Sequence, residues 1–288
     1  MSGQVLITGA GGYVGPHVVR AVADLGYQPV AVSRRPPEAE LDERALFVEA
    51  DVLAPDFLIE SIAPAAEVSA VIHLAWQDGF VHNARSHIES LSAHHGFLAG
   101  AAEVGIERIA SLGTMHEVGY WEGAVDEDTP TNPVTLYGIA KDALRRSTAL
   151  TVAPVAEYIW LRAFYILGDD RRNRSIFAKI LDAADRGDTE FPFTTGRTLY
   201  DFIDVAELGK QIAVASLSNG VTGIVNVCSG KPESLASRVE RFIQENDLSI
   251  RLRYGAFPDR AYDSPGIWGD STRIDALMKG SSLGRDTR

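Results

Sequence analysis

The sequence predicts an α/β protein: a doubly wound parallel sheet followed by a smaller C-terminal substrate-binding lobe. Three observations carry this expectation. A short apolar run, Val5-Leu6-Ile7, leads through a glycine-rich turn into an apolar-periodic segment. Apolar runs and helical patterns then alternate through the first half, as in a parallel sheet with helices on both faces. The 288 residues, 45% hydrophobic and 23% charged, suffice for one large domain or two unequal ones with a full core.

The turn is Thr8-Gly9-Ala10-Gly11-Gly12-Tyr13-Val14-Gly15, and the helix after it is marked by Val18, Val19, Val22 and Leu25 before Gly26. Gly9, Gly12 and Gly15 are spaced T-G-x-x-G-x-x-G, one residue wider than G-x-G-x-x-G. Glycine is needed for a steric reason: the chain turns sharply and brings its amides close to a pyrophosphate, and a Cβ would block both. The free N–H groups and positive end of the helix then suit the phosphates. A Rossmann-type dinucleotide site is expected here.

Pro29-Val30-Ala31-Val32 reads as the second strand and ends at Ser33-Arg34-Arg35. A carboxylate at that end accepts hydrogen bonds from ribose hydroxyls, as for NAD, whereas an arginine accommodates the 2′-phosphate of NADP. With no acid before Glu38, NADP(H) is favoured over NAD(H); the competing reading is two merely solvated loop cations. Leu46-Phe47-Val48 is the third strand, and Asp51, in Ala50-Asp51-Val52, either reaches an adenine amino group or caps a helix. Val71-Ile72-His73-Leu74-Ala75-Trp76 is the fourth, apolar except for His73, which is expected to pack under the cofactor. Residues 82–104 read as one helix, Arg108-Ile109-Ala110-Ser111-Leu112 as the fifth strand, and 114–132 as a long functional loop.

The next helix opens near Thr135 and holds the candidate chemistry. Tyr137 and Lys141 stand at i and i+4, one turn apart on one face. A phenol with a pKa near 10 is a poor acid–base catalyst at neutral pH, and a neighbouring ammonium lowers that pKa. A bare Y-x-x-x-K is common on helices; its place after a cofactor turn and a fifth strand is what makes it informative.

These residues together resemble the extended short-chain dehydrogenase/reductase superfamily, in its nucleotide-sugar epimerase/dehydratase/reductase branch. Thr8 to Gly15 matches the cofactor turn, Asp51-Val52 the adenine contact, and His73-Leu74-Ala75-Trp76 the H-x-A-x signature. Ser111-Leu112-Gly113-Thr114-Met115-His116-Glu117-Val118-Gly119 resembles S-S-x-x-V-Y-G. Leu161-Arg162-Ala163-Phe164-Tyr165-Ile166-Leu167-Gly168 resembles L-R-x-x-N-x-Y-G. Asp201-Phe202-Ile203-Asp204-Val205 resembles D-F-I-H-V, and Asn226-Val227-Cys228-Ser229-Gly230 resembles N-I-G-S-G. The resemblance implies Thr114, Tyr137 and Lys141 as catalytic residues. It implies cofactor contacts from Gly9, Gly12, Tyr13, Val14, Gly15, Ser33, Arg34, Arg35, Asp51, Val52, Leu74, Ala75, Trp76 and Phe164, besides Tyr137 and Lys141. Substrate contacts are expected from Trp76, His116, Tyr165, Arg197 and Arg260.

Departures from the family pattern narrow the reaction. The acid and glutamate that follow the catalytic threonine of 4,6-dehydratases are Met115 and His116 here, which disfavours that elimination. Family epimerases keep NAD bound and need no NADP preference, so Ser33-Arg34-Arg35 points to a net reductase resembling sugar-nucleotide 4-ketoreductases. The expectation is NADPH-dependent reduction of a 4-keto-6-deoxy sugar nucleotide, with Tyr137 as proton donor. An epimerase using His116 as acid–base group is the alternative. A non-catalytic NADP-binding regulator is the competing class, and such proteins typically lack the tyrosine–lysine pair. Tyr165 and Tyr200 replace the usual asparagine and arginine of the substrate site, while Arg197 and Arg260 offer other cations.

Residues 1–168, with about 200–228, are expected to form the cofactor domain, and 169–199 with 229–288 the substrate lobe. In the second half, helices are read at Ile176-Phe177-Ala178 through Leu181, at 205–217 and at 235–243, with strands at 191–193 and 223–227. The segment from Gly280 reads as a mobile tail. By analogy with relatives, 82–104 and 135–153 would form a four-helix homodimer interface. The net charge of −12 argues against nucleic acid and anionic membrane surfaces. No apolar run approaches the ~18 residues of a membrane span. One cysteine, Cys228, permits no internal disulfide, and a cytoplasmic protein is expected. His82, His87, His94 and His95 lack metal-ligand spacing, so no metal is expected.

Overall fold

In the computed structural model, residues 2–168, 175–258 and 264–284 are described. The chain begins with β1 (Ser2–Thr8), α1 (Gly15–Asp24), β2 (Tyr27–Ser33), β3 (Leu46–Glu49) and β4 (Val68–His73). Then come α2 (Ser86–Glu89), α3 (Leu91–Glu103), β5 (Arg108–Thr114), β6 (Gly123–Val125), α4 (Leu136–Thr151) and β7 (Glu157–Ala163). β8 (Tyr165–Leu167), α5 (Ile176–Asp185), β9 (Glu190–Pro192), β10 (Leu199–Asp204), α6 (Val205–Leu217) and β11 (Gly223–Val227) follow. The chain continues through β12 (Pro232–Ser234), α7 (Leu235–Glu245), β13 (Arg251–Arg253), β14 (Gly266–Gly269) and α8 (Thr272–Gly280).

Seven strands form one parallel sheet in the order β11-β7-β5-β4-β1-β2-β3, the doubly wound Rossmann-like arrangement that the strand–helix alternation predicts. The order reverses between β1 and β4, and that switch point is where such sheets open a ligand crevice. Both faces are covered. Val5 and Ile7 pack with Val18, Val19 and Val22 of α1 and Leu208 and Ile212 of α6. Leu6 points the other way, into a core with Val30, Phe97, Leu98, Leu144 and Trp160. Strands buried on both sides read as continuous apolar runs, which is why they were visible in the sequence.

The second half builds what the sequence shows only in part. β12, β10, β14 and β6 form a second sheet, with β8 also pairing β10. Fully buried Asp201 ties this sheet together: its carboxylate accepts from Ser229 N (2.8 Å), Ser229 Oγ (2.6 Å), Gly230 N (2.9 Å) and Gly269 N (3.1 Å). Phe177, Ile180, Phe193, Val239 and Phe242 make a separate small core.

Three expectations need correction. Residues 82–104 are not one helix: 77–85 are irregular, because this segment caps α4, with Tyr137 N donating to His82 O (2.9 Å) and Leu136 N to Asn83 Oδ1 (3.2 Å). The loop 114–132 contains β6, paired in parallel with β14. The segment from Gly280 is not a loose tail as far as Gly284, since Leu283 is buried and a Cβ on Gly284 would lie 1.9 Å from Met278 O. No helix among the described residues is long and apolar enough to cross a membrane.

Candidate active site

The glycine turn lies at the β1/β4 switch point. Gly9 has φ +69°, and a Cβ there would come 2.6 Å from Ala75 N; one on Gly15 would come 2.3 Å from Ala10 O. The turn is therefore pressed against the segment after β4. Leu74 N donates to Thr8 O (3.2 Å) and Ala75 N to Thr8 Oγ1 (3.3 Å). Val14 caps α1 without a side-chain hydrogen bond, and the first turn of that helix carries no acid. Its leading amides and dipole thus meet no side-chain anion of their own, and this donor set fits a dinucleotide pyrophosphate. Tyr13 OH donates to Gly168 O, and its ring lies 6.2 Å from Phe80.

Ser33 closes β2 beside the turn: a Cβ on Gly11 would lie 3.0 Å from Ser33 Oγ. Ser33 Oγ donates to Arg35 O (2.6 Å), and Arg34 and Arg35 stand exposed just beyond. Asp51 is exposed and accepts from Leu53 N (3.1 Å), while Val52 is buried. Phe164, directly after β7, is buried.

Thr114 ends β5, and the tyrosine helix packs on the 3-10 turn Met115–Glu117 that follows it. A Cβ on Gly138 would lie 2.4 Å from His116 O, and Thr135 Oγ1 caps α4 by accepting from Gly138 N (3.1 Å). This brings Thr114 and Tyr137 together, close enough for the Thr114 hydroxyl to act on the phenol. Burial pushes the Tyr137 phenol up to about 12; the Thr114 hydroxyl pulls against that rise and the Glu117 carboxylate adds to it. The phenol stands in a ring of imidazoles and indole, with centroids of His87 at 5.2 Å, His82 at 5.7 Å, His116 at 6.0 Å and Trp76 at 6.1 Å.

Lys141 is buried, donating to Leu112 O (2.6 Å) with its ammonium 3.8 Å from the Trp76 ring centroid. Burial pulls it down to about 7, against the pull of Glu117. The net direction for the Tyr137 phenol is up, opposite to the lowering expected from the Lys141 ammonium, because burial is the largest effect on it. Trp76 is itself clamped: its Nε1 donates to His87 Nδ1 (3.0 Å), and its ring stacks on His94 at 4.3 Å. His94 Nδ1 meets His73 Nε2 (2.9 Å), and His73 Nδ1 meets Thr8 Oγ1 (2.8 Å). A buried ladder thus runs from the glycine-turn strand to the lysine, with His73 at its foot.

Burial and the neighbouring His82 pull His116 down to about 3, leaving it neutral at pH 7. Tyr165 lies 6.3 Å from His116 and 4.1 Å from Tyr200, which extends the aromatic lining toward the second sheet. Arg197 is exposed on the loop before β10, and Arg260 lies outside the described residues. Two neighbours of the site escaped sequence reasoning. His82 is brought to Tyr137 by an irregular loop that no spacing announces. Glu117 is fully buried and completes a capping box with Thr114, accepting from Thr114 N (2.7 Å); the T-x-x-E pattern was its available signal.

A dTDP-6-deoxy-L-talose 4-dehydrogenase (NAD(+)) of Aggregatibacter actinomycetemcomitans is 42% identical over 271 residues, spanning 92% of this chain and 99% of that protein. A UDP-glucose 4-epimerase of Azospirillum brasilense is 24% identical over 306 residues, 95% of this chain and 85% of that protein. The structure of a UDP-glucuronic acid 4-epimerase from Bacillus cereus in complex with UDP-glucuronic acid and NAD shares the fold. Its TM-score is 0.79 at 18% identity, covering 98% of this chain and 96% of that one. Residues 5–228 match the model of the NAD dependent epimerase/dehydratase family. The chain therefore belongs to that family, within the extended short-chain dehydrogenases/reductases.

Proposed function

We propose that this protein interconverts a ketone and an alcohol at C4 of a nucleotide-linked 6-deoxy sugar, working as a 4-ketoreductase. The observation that carries most weight is the 42% identity, over nearly the full length of both chains, to a protein named for oxidation at that carbon. A nicotinamide dinucleotide, when bound, supplies or takes the hydride. Tyr137 donates its phenolic proton to the developing alkoxide, and Thr114 orients the carbonyl by a hydrogen bond. At about 12 the phenol carries its proton at neutral pH, the form that donation needs, and its strength as an acid is assigned to the cationic charge of Lys141 and of the oxidised nicotinamide formed as the hydride leaves. Lys141 is assigned the nicotinamide ribose, and the glycine turn the pyrophosphate.

We assign NADP(H) as the preferred dinucleotide from Ser33-Arg34-Arg35, although the relative's name carries NAD(+). The epimerase reading with His116 as acid–base group is weakened, because an imidazole at about 3 is a feeble base at pH 7. A purely regulatory role leaves the convergence of Thr114, Tyr137 and the buried Lys141 without a task. The cofactor domain is assigned to 1–168 with about 200–228, and the substrate lobe to the rest. A homodimer through α3 and α4 is supported by exposed Ile139 and Leu150 and by Gly96 and Gly100, where an added Cβ would meet open space.

The test supplies dTDP-6-deoxy-L-talose with NAD+ or NADP+ and follows reduced nicotinamide, with mass spectrometry of the sugar product. The 4-keto product should form, and Tyr137→Phe should cut turnover by roughly 10²–10⁴ while dinucleotide affinity is kept. Turnover by Tyr137→Phe within a few-fold of the parent would overturn the role assigned to the phenol. C4 inversion without net change in the dinucleotide would favour the epimerase instead.

A further inference from the structure

Beneath the Thr114 turn sits a carboxylate that the reaction, as proposed above, does not use. Glu117 is fully buried, and its two oxygens gather donors from three elements. Oε1 accepts from Thr114 N (2.7 Å), and Trp160 Nε1 of β7 stands 2.9 and 3.0 Å from Oε1 and Oε2. Arg162 of β7 and Arg145 of α4 each bring a guanidinium nitrogen to 3.6 Å from Oε2. Room for this is built in. A Cβ on Gly113 would lie 2.1 Å from Trp160 Nε1 and 2.7 Å from Glu117 Oε1, so only glycine fits in the strand beside them.

The groups in contact with the carboxylate, Thr114 N, Trp160 Nε1 and the Arg145 and Arg162 guanidinium groups, are all donors. Burial, the largest effect, pushes its carboxyl up, and Arg162, Thr114 N, Trp160 and Arg145 pull against that rise. The charge of Glu117 acts on the pair above: it raises both the Tyr137 phenol and the Lys141 ammonium. Asp142, which binds Arg145 (2.6 Å) and Arg146 (2.8 Å), and the Tyr158 phenol are the other titratable groups in this neighbourhood.

We propose that Glu117 is a positioning residue. Its ionised carboxylate locks the Thr114 turn onto β7 and onto the helix that carries Tyr137 and Lys141, and it is the fixed negative charge beneath that pair. His116 N donates to Thr114 Oγ1 (3.3 Å) within the same turn, so the orientation of the Thr114 hydroxyl follows from where Glu117 holds the backbone. Arg145 stands two helical turns beyond Tyr137, which makes the carboxylate a strut between the turn and the helix.

The role in turnover rests on the reading of the reaction above; the charge does not, and the test separates the two. The protein has five lysines, so the Lys141 titration can be followed by NMR of labelled lysine side chains, assigned with Lys141→Arg. In Glu117→Gln, whose amide keeps the shape and loses the charge, the Lys141 midpoint should fall by about half a pH unit or more. With dTDP-6-deoxy-L-talose and NADP+ or NAD+, kcat should fall at least about tenfold with KM for the sugar nucleotide within about threefold. The pH midpoint of kcat should move down with Lys141. Glu117→Asp keeps the charge but cannot reach all its donors; it should restore the midpoint and not kcat. Should Glu117→Gln fail to fold, Glu117→Asp decides, because a charge kept but withdrawn from Thr114 N should lower kcat at least about tenfold while the Lys141 midpoint stays within about half a pH unit of the parent. An unmoved Lys141 midpoint in Glu117→Gln, or parental kcat in Glu117→Asp where that variant decides, overturns the inference. So does loss of thermal stability with kcat and its pH profile unchanged. A parent protein inert toward the sugar nucleotide would refute the proposed reaction while the NMR titration still judges Glu117.

Discussion

The buried imidazole ladder makes the fold acid-sensitive in a way that one substitution should reveal. His94 is fully buried, stacked on Trp76 and bonded to His73, and burial, with the Lys141 charge beside it, pulls it down to about 3 from an ordinary value of 6.5. His116 is pulled down to about 3 and His73 is lowered in the same sense. Below pH 6.5 the histidines of the unfolded chain bind protons that the folded chain refuses, so the histidines cost nothing above that pH and an increasing amount as pH drops toward the folded values. For each such histidine the loss between pH 7.5 and pH 5 is about 2 kcal/mol. His94 and His116 together therefore remove about 4 kcal/mol, a large share of the 5–15 kcal/mol typical of a domain. Asp42, held at about 2 by its hydrogen bond to Arg44, releases its contribution only below about pH 4 and stays outside this window. The perturbation is His94→Gln, whose amide can donate to or accept from His73 and cannot titrate. Urea unfolding followed by circular dichroism at pH 7.5, 6, 5.5 and 5 should show the slope between pH 6 and 5 reduced by about 1.2 kcal/mol per pH unit relative to the parent. Identical slopes for the two proteins, or a parent whose stability is flat from pH 7 to 5, would refute the reasoning.

Other outcomes follow from geometry already described. Asp201→Asn turns one acceptor into a donor facing backbone amides, and should cost about 2–5 kcal/mol in chemical denaturation; a loss under about 1 kcal/mol would contradict the staple assigned to it. Gly9→Ala forces a positive φ on alanine and a contact with Ala75 N, so dinucleotide affinity by calorimetry should fall at least about tenfold, and an unchanged affinity would count against the cradle. Arg34→Ala should weaken NADPH binding by about five- to tenfold and leave NADH nearly unchanged, and equal losses would remove the case for a 2′-phosphate contact. Leu150→Glu, on the exposed face of α4, should shift sedimentation from dimer to monomer; a monomeric parent would dispose of the helical interface.

What was legible in the chain was local or doubly buried. The glycine turn shows because its sterics are set within eight residues, and β1, β4 and β5 show because burial on both faces leaves them apolar. The tyrosine helix shows because Thr135 marks its start and Tyr137 and Lys141 share a face. The second sheet was mostly hidden, since β6, β8, β12 and β14 are only three or four residues long and owe their extension to partners far along the chain. The break between 77 and 85 was hidden for a similar reason: its backbone is spent on capping α4, a debt no periodicity records. Glu117 was written in plain sight as T-x-x-E, yet a charged residue within an apolar stretch invites a surface reading until its guanidinium and indole neighbours, from β7 and α4, are seen to converge.

The seven-stranded sheet is finished out of order. β11 lies at its margin beside β7, yet between them the polypeptide departs to lay down β8, α5, β9, β10 and α6. On a ribosome, β7 emerges long before its neighbour and must wait with one row of amides and carbonyls bare, a state prone to sticking to other chains. A single nick in the 186–198 stretch should for the same reason release nothing: the two pieces remain laced through β11 and travel as one particle under native conditions.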